Sequence, residues 1–258
     1  MTVIQQETWD NQTIGTPIEP LVADAIRRAW PMVSPKTIDD LTRSASVVRS
    51  SRAPLIAEDE RPARIGLVVG GTVVFTWNAP DGRTMFAGFY GPGQVMGLGT
   101  LAGATATTGT DPLTPVTALI WDSRRFRDIA DGDIALMGNL LDRAIFAGHA
   151  LNHQIKLRTF TTARSRLASM LVRYDRLLFG AGSAGVPRSQ LGALAGVTPR
   201  MVSTIVCDWE MAGIVSRVGS TGLVLLDRAA LAAEAAPLAD FPEPDPTWPG
   251  AWSEADLT

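Results

Sequence analysis

The spacing of hydrophobic residues in the first half of the chain is typical of short strands. Residues 64–77 are rich in β-branched side chains and are interrupted by Gly70-Gly71, which predicts two strands joined by a tight turn. Further strands are predicted over residues 83–89, after the turn Pro80-Asp81-Gly82, and over residues 116–121. Helical spacing precedes them over residues 20–30 and after Ser34-Pro35. The pattern therefore predicts an antiparallel β domain with helices at its start.

The spacing becomes helical near residue 123, and one long helix is predicted to begin around Asp131 and Asp133. Apolar or small residues recur along it at alternating intervals of three and four, which is a heptad seam. After Ile134, the seam predicts a dimer interface at Met137, Leu141, Ala144, Gly148, Leu151 and Ile155. A second stripe, Leu136, Leu140 and Phe146, is predicted to pack back on the β domain. The alternative is a helix buried within its own domain.

The last third of the chain has the pattern of a winged helix-turn-helix. A helix over 161–179 is followed by a short helix over 189–195, a turn at Gly196, and a second helix with Thr198 as its cap. Gly213 ends this second helix, and strands over 215–217 and 223–226 form the wing. The buried face of the second helix is predicted to contain Met201 or Val202, Ile205, Val206 and Trp209.

A helix that enters the major groove of DNA does so with its N-terminus first, where free backbone N–H groups can bind phosphate. Arg200 can pair with guanine through two hydrogen bonds, and the start of the first helix is expected to contact phosphate. The predicted DNA-binding residues are Arg188, Ser189, Thr198, Pro199, Arg200, Ser203 and Thr204. The alternatives are that Thr198 is only a cap and Arg200 only a surface charge.

The charge distribution changes how the overall acidity of the chain is interpreted. The 258 residues carry a net charge of −3, but residues 159–230 hold eight arginines against four acidic residues. Residues 231–258 contain six acidic residues and no lysine or arginine, so an acidic tail offsets a basic module.

The single cysteine, Cys207, excludes an intrachain disulfide and a four-cysteine iron–sulfur cluster. With no apolar run of membrane length and no secretory start, we expect a cytoplasmic protein that does not bind membranes.

These elements together resemble the Crp/Fnr superfamily of bacterial transcription regulators over residues 34–228. The resemblance rests on the winged motif, the long helix, the helix TTARSRLASMLVRY and the segment GGTVVFTWNAPDGRTMFAGFYGPGQVMGLGTLAG. It implies an α+β fold with an N-terminal cyclic-nucleotide-binding-like β-roll, a long dimerisation helix and a C-terminal winged helix-turn-helix. The expected segments are a flexible arm (1–18), the β-roll sensor (19–130), the dimerisation helix (131–158), the DNA-binding domain (159–230) and an acidic, proline-rich tail (231–258).

The chain departs from the family members that bind cyclic nucleotides. Those members use a Gly-Glu pair and a downstream Arg-Ser pair, whereas this chain has Gly97-Leu98 and no arginine over residues 104–119. A cyclic phosphate would lack its charged partner there, so cyclic AMP is not the expected effector. The resemblance instead implies a mostly apolar effector pocket formed by Phe86, Met96, Gly97, Leu98, Leu151 and Asn152.

His149 and His153 are the only histidines and lie four residues apart, which is a metal-ligand spacing. No third ligand is near them in the sequence, so we expect surface or interface histidines and no metal site; an axial haem ligand, known in some family members, is the alternative. No catalytic triad or nucleotide-binding glycine motif is present, and we expect no enzyme activity.

The sequence therefore predicts a homodimeric, sequence-specific regulator controlled by a small effector other than cyclic AMP. Its alternative is a constitutive regulator with a vestigial pocket, controlled by abundance or by a protein partner. The expected partners are a palindromic double-stranded DNA operator, a second copy of the chain and RNA polymerase.

Overall fold

A computed structural model describes residues 18–78, 84–179, 188–218 and 222–235. Its helices are α1 (Ile18–Ala29), α2 (Pro35–Ser44), α3 (Ser123–Asp131), α4 (Ile134–Phe160), α5 (Ala163–Arg173), α6 (Asp175–Phe179), α7 (Arg188–Ala195), α8 (Pro199–Met211) and α9 (Arg228–Glu234), with a 3₁₀ helix at Leu98–Ala102. Its strands are β1 (Ser46–Ser50), β2 (Arg64–Gly70), β3 (Val73–Asn78), β4 (Thr84–Tyr90), β5 (Val95–Met96), β6 (Gly109–Pro112), β7 (Val116–Asp122), β8 (Val215–Val218) and β9 (Gly222–Leu225). The predicted turn at Pro80-Asp81-Gly82, nearly all of the predicted N-terminal arm and most of the predicted acidic tail lie outside these residues.

The described residues form two compact units, and the division falls inside α4. The first unit contains residues up to 76 together with 90–147, and the second contains 77–89 and the residues from 148 onward. The first unit therefore holds most of the strands and the first half of α4. The second holds β4, the rest of α4 and the winged motif.

The main sheet of the first unit is antiparallel, with the strand order β1-β7-β2-β5. Strand β7 is an interior strand with five buried residues, and it pairs with β1 on one side and with β2 on the other. Strands β2 and β3 are joined by a tight turn, as the sequence predicted, but they belong to different sheets. Strand β3 pairs with β6 instead, and the turn between β2 and β3 requires glycine at position 71. Gly71 has φ of 81° and an added Cβ would lie 2.2 Å from the Pro115 carbonyl oxygen.

A group of aromatic side chains forms the centre of the first unit's larger core. The rings of Trp30 and Phe126 lie 5.9 Å apart, those of Trp121 and Phe126 lie 5.3 Å apart, and Trp121 Nε1 donates to the Leu41 carbonyl at 2.9 Å. Leu136 and Leu140 of α4 are buried in the same core. For these two residues, the prediction that a second stripe of the long helix packs against the β domain is confirmed.

Helix α4 begins at a buried carboxylate, as the sequence predicted. Asp133 accepts hydrogen bonds from the backbone N–H groups of Ala135 and Leu136 at 3.0 and 3.2 Å. Its second oxygen accepts from the backbone N–H of Ser34 at 3.0 Å, which joins the start of α2 to the start of α4. Partial burial raises the pKa of Asp133, but these hydrogen bonds outweigh it and hold the pKa at about 2.

Arg143 ties α4 to two other parts of the first unit. Its guanidinium donates to the carbonyls of Gly93 at 2.9 Å and Ala29 at 3.1 Å, and to the Asn139 side chain at 2.6 Å. Burial lowers the pKa of Arg143 to about 10, so the group still carries its charge at neutral pH. Carbonyl oxygens, one of them at the C-terminal end of α1, therefore stabilise this buried cation.

The helix predicted over 161–179 is two helices, because it breaks at Tyr174. Thr162 caps α5 by accepting from Ser165 N at 3.2 Å. After the break, Tyr174 packs edge-to-face against Phe89 of β4, with ring centres 5.1 Å apart. Helix α9 was not predicted: it begins at the cap Asp227, buries Leu231 completely and extends past residue 230, where the predicted DNA-binding domain ended.

Candidate nucleic-acid interface

Helices α7 and α8 meet through a tight glycine-containing turn. Gly196 has φ of 64°, the left-handed conformation that the sequence predicted for this turn. Gly192 approaches the turn closely, since Val197 N donates to its carbonyl at 2.9 Å and an added Cβ would lie 2.8 Å from the Val197 oxygen. These two glycines allow α7 and α8 to lie in contact, which is the arrangement of a helix-turn-helix.

The first turn of α8 is built from the residues that the sequence indicated. Thr198 is the N-cap, and its hydroxyl accepts from the backbone N–H of Met201 at 3.3 Å. Pro199 occupies the first helical position, where its missing N–H costs nothing. Both residues are exposed, so the N-terminus of α8 and its remaining N–H groups face solvent.

Helix α8 separates sharply into an apolar face and a polar face. Val202, Ile205, Val206 and Trp209 are buried, whereas Met201 is exposed, which decides between the two candidates for the first buried position. The exposed face carries Arg200, Ser203 and Thr204. Ser203 and Thr204 donate to carbonyls of their own helix at 3.0 and 3.2 Å, which leaves their oxygens open to accept. Within the described ranges, Arg200 has no acidic partner.

The wing is an antiparallel pair, with Val215 opposite Leu225 and Val218 opposite Gly222. It is fastened to α8 by an ion pair between Arg217 and Glu210. Residues 219–221 of the predicted wing tip lie outside the described residues. Arg188 and Ser189 begin α7, as predicted, and their side chains lie outside the description as well.

Helix α4 carries the predicted seam on its exposed side. Leu141, Leu151 and Ile155 remain 61%, 46% and 53% exposed, and Ala144 and Gly148 are exposed between them. Met137 differs, because it is half-buried and packs against the core of the first unit. Ile145, which the heptad count omitted, is also 50% exposed. The dimer assignment of these residues stays a prediction.

The six predicted effector-pocket residues divide equally between the two units. In the first unit, Met96 is fully buried in the smaller core, Gly97 adopts φ of 71°, and Leu98 packs against the larger core. In the second unit, Phe86 is buried with its ring 6.2 Å from that of Phe89, while Leu151 and Asn152 are exposed on α4. Their role as a pocket stays a prediction.

The two histidines lie one turn apart on α4 and differ in burial. His149 is exposed and His153 is half-buried. Burial lowers the pKa of His153, and the positive charges of Arg173 and Lys156 lower it further. Across the described parts of the chain, no three His, Cys, Asp or Glu residues are grouped so that they could hold a metal ion. Among those same residues, no helix is long and apolar enough to span a membrane.

The sequence did not single out the exposed position of Cys207 or the role of Arg164. Cys207 is on α8, three and four residues after Thr204 and Ser203, and is therefore on a neighbouring part of the same surface. Arg164 of α5 forms ion pairs with Asp208 and Glu234. Glu234, the bidentate partner of Arg164, lies 70 residues away in the sequence, and a contact at that separation leaves no local sequence pattern. Only the structure could identify it.

Comparisons with known proteins agree with this geometry. Residues 165–234 match the family described as the Crp-like helix-turn-helix domain. A comparison of the sequence with curated proteins finds no match.

Solved structures of regulators share the fold of about three quarters of the chain at low identity. FixK2 from Bradyrhizobium japonicum is 23% identical with a TM-score of 0.66, and the match covers 76% of this chain and 99% of FixK2. A CRP-family transcriptional regulator from Thermus thermophilus is 20% identical, with 72% and 95% covered and a TM-score of 0.60. CLP from Xanthomonas campestris, described as a c-di-GMP-responsive global regulator, is 17% identical, with 74% and 99% covered and a TM-score of 0.59.

The winged motif with its exposed polar helix and the family match identify residues 165–234 as a Crp-like helix-turn-helix domain, the class of module that places a helix in the major groove of DNA. The sheet-rich N-terminal part, the long helix and the C-terminal helix-turn-helix that the resemblance implied are all present, and this is the fold that the chain shares with the solved regulators.

Proposed function

We propose that this regulator acts in the cytoplasm as a homodimer that reads a palindromic operator with α8, and that a small effector other than cyclic AMP controls it. The observation that carries the proposal is a pair of exposed helix faces with opposite chemistry. The exposed face of α8 is polar and follows a solvent-facing N-terminus, whereas the exposed face of α4 is apolar with heptad spacing.

The α8 face supports base recognition because its groups match what the major groove offers. Arg200 is exposed in the first turn and has no acidic partner within the described residues, so its guanidinium is available for a guanine edge. Thr198 and the exposed helix start favour a phosphate contact, which would set the register of the helix on DNA. Ser203 and Thr204 lie beside Arg200, and their hydroxyl oxygens can accept hydrogen bonds from neighbouring bases.

The α4 face supports a dimer because exposed leucine and isoleucine at heptad spacing need a protein surface. Full burial of such a side chain contributes about 1.5–3 kcal/mol, and because these side chains are already about half buried, covering the rest of each contributes roughly half of that. Ala144 and Gly148 lie between the large residues and would let two helices approach closely. A palindromic operator follows from such symmetry, since a two-fold dimer presents two α8 helices to two half-sites.

The proposal of an effector other than cyclic AMP is supported by the residue at the position of the cyclic-nucleotide-binding carboxylate. Leu98 stands where a carboxylate would be expected, and its side chain packs against a hydrophobic core. CLP responds to c-di-GMP, which illustrates that this fold accommodates an effector other than cyclic AMP. Complete burial of Met96, together with the close approach of Gly97 to the Arg64 carbonyl, favours the alternative of a constitutive regulator with a vestigial pocket. The resemblance alone suggests RNA polymerase as a partner.

In-vitro selection of bound sites from random duplex DNA, with the mass of the protein measured in solution, tests the DNA-binding proposal. We expect an enriched palindrome with half-sites about one helical turn apart, bound by two chains. Selection of a single half-site by one chain, or no enriched sequence at all, would contradict the proposal of a symmetric dimer.

A thermal-shift screen separates effector control from constitutive binding. A small molecule that binds the folded state raises the unfolding temperature in proportion to the logarithm of its concentration. A hit that also changes operator affinity supports effector control. Operator binding at full strength with no responsive ligand supports the constitutive alternative.

A further inference from the structure

Three helices of the second unit meet at one guanidinium group. Arg164, in the first turn of α5, donates through Nε and one terminal nitrogen to both Glu234 oxygens at 2.7 and 2.8 Å. Its other terminal nitrogen donates to Asp208 of α8 at 2.9 Å. Arg164 therefore joins the last residue of α9 to the second half of α8.

The same guanidinium lies over the ring of Trp209, 5.7 Å from the ring centre. Trp209 is completely buried and is the last large residue on the buried face of α8. Arg164 thus contacts α8 in two ways: a charged hydrogen bond to one side chain and a cation–π contact with the next. Two contacts of different geometry fix the rotation of a helix more closely than one does.

The charges in this cluster favour one another. The hydrogen bond to Glu234 raises the pKa of Arg164, and the same hydrogen bond lowers the pKa of the Glu234 carboxyl group. Both groups are therefore fully charged at neutral pH, and the bidentate geometry adds direction to the attraction.

The remaining contacts of α8 do not restrict its rotation in the same way. Val202, Ile205 and Val206 are buried through apolar packing, which is non-directional. The ion pair between Glu210 and Arg217 attaches α8 to the wing, a two-stranded ribbon that is itself marginal in isolation. The contact with Arg164 connects α8 to two other helices instead.

We propose that Arg164 is a positioning residue for DNA recognition, which holds α8 through Asp208 and Trp209 and uses α9 as its support through Glu234. This inference rests on the proposed role of α8 in reading bases. Arg200 lies eight residues before Asp208, about 12 Å along the helix axis, so a rotation at the Asp208 end displaces the base-reading side chain. Loss of Arg164 therefore weakens binding to the selected operator more than binding to random DNA.

The test compares Arg164→Gln with Arg228→Gln, a matched control in the same unit. Arg228 also pairs with an acidic residue, Asp175, but this ion pair joins α9 to α6 and does not include α8. Each variant removes one positive charge. Arg164→Gln leaves two carboxylates, Asp208 and Glu234, without that partner, whereas Arg228→Gln leaves one, Asp175. Affinities for the selected operator and for random duplex DNA are measured below the unfolding temperature of each variant, with circular dichroism confirming the fold.

We expect Arg164→Gln to lower the ratio of operator affinity to random-DNA affinity by about five- to tenfold, as partial loss of a base contact would. Arg228→Gln should weaken both affinities alike and leave the ratio unchanged. Glu234→Gln, which keeps the contact with Asp208, should give a smaller drop, and it provides a milder variant if Arg164→Gln does not fold.

The double variant Arg164→Gln/Glu234→Gln separates position from charge, because it restores the net charge of the wild type. We expect its random-DNA affinity to return to the wild-type value while the affinity ratio stays low. A wild-type ratio in both Arg164→Gln and the double variant would overturn the inference. Failure of the wild-type protein to prefer any sequence would instead overturn the proposed function, so the two failures can be told apart.

Discussion

Helices α4 and α8 both leave one face open to solvent, and the two faces differ in chemistry. On α8 the open face presents a guanidinium and two hydroxyl groups after an exposed N-terminus. On α4 it presents leucine and isoleucine side chains separated by small residues. The opposite faces of both helices are alike, because each packs aliphatic residues into a core.

The comparison shows that the exposed face, not the buried face, distinguishes the roles of two amphipathic helices. Polar groups on α8 retain their hydration until a polar partner such as DNA replaces the water. Apolar groups on α4 gain free energy only when another apolar surface covers them. The following predictions test this contrast, beginning with the largest expected effect.

Leu141→Glu should have the largest effect, because it places a charge within the proposed dimer seam. We expect a monomer in solution and operator affinity lower by a factor on the order of 10³, since one half-site is lost. Analytical ultracentrifugation and a DNA-binding titration measure the two quantities.

His149→Glu is the control for this variant, because it adds the same charge to an exposed α4 position outside the seam. It should remain a dimer with nearly normal affinity. If the two variants behaved alike, the apolar face of α4 would not be a dimer interface.

Arg200→Ala should affect α8 without affecting the dimer. Loss of a bidentate base contact should weaken operator binding by about 1–3 kcal/mol and relax the preference at one base position. Repeating the site selection with the variant shows the relaxation directly. Arg188→Ala is expected to weaken all sequences equally, as a phosphate contact would; an unchanged motif in Arg200→Ala would exclude this residue from base reading.

Asp133→Asn compares the starts of the two helices, because α4 begins at a charged cap and α8 at a neutral one. Asparagine keeps the capping geometry but removes the charge, and we expect about 1–2 kcal/mol lower stability at neutral pH. The pKa of Asp133 lies below its ordinary value of 3.8, at about 2, so its contribution is complete above pH 4 and disappears as the pH falls toward 2. Urea unfolding of both proteins between pH 2 and 7 measures this. The difference between their free energies of unfolding should be constant above pH 4 and should disappear between pH 4 and pH 2.

Thr198→Ala should have the smallest effect on stability, about 1 kcal/mol, because it removes the single hydrogen bond that caps α8. Denaturant unfolding measures this loss. Thr198→Ser keeps the hydroxyl and should retain the stability. If Thr198→Ala also bound DNA more weakly under conditions where it is fully folded, Thr198 would have a role beyond capping.

The sequence predicted local structure where a single residue determines the backbone. Thr198-Pro199, Gly196 and Gly213 each specify a helix end, and the structure has a helix end at each position. The heptad spacing of α4 identified five residues that share its exposed side, because periodicity reports which residues share a face, but it also included Met137, which packs against the core, and omitted the exposed Ile145.

Features that depend on distant contacts were not predictable in this way. The break at Tyr174 accompanies its packing against Phe89, which is far away in sequence. Strand β3 pairs with β6 and not with its neighbour β2, because register depends on the whole sheet. Arg164 appeared in the sequence only as one of eight arginines in a basic segment, and its three carboxylate hydrogen bonds emerge from the packing of α5, α8 and α9.

The exposed position of Cys207 on α8 has a practical consequence. As the only cysteine of the chain, it allows a nitroxide spin label to be attached at one site without any substitution. In a symmetric dimer the two labels would report the separation of the two α8 helices by electron paramagnetic resonance. The distribution of distances between the two labels should become narrower when DNA binds, because the helices then occupy successive major grooves about 34 Å apart.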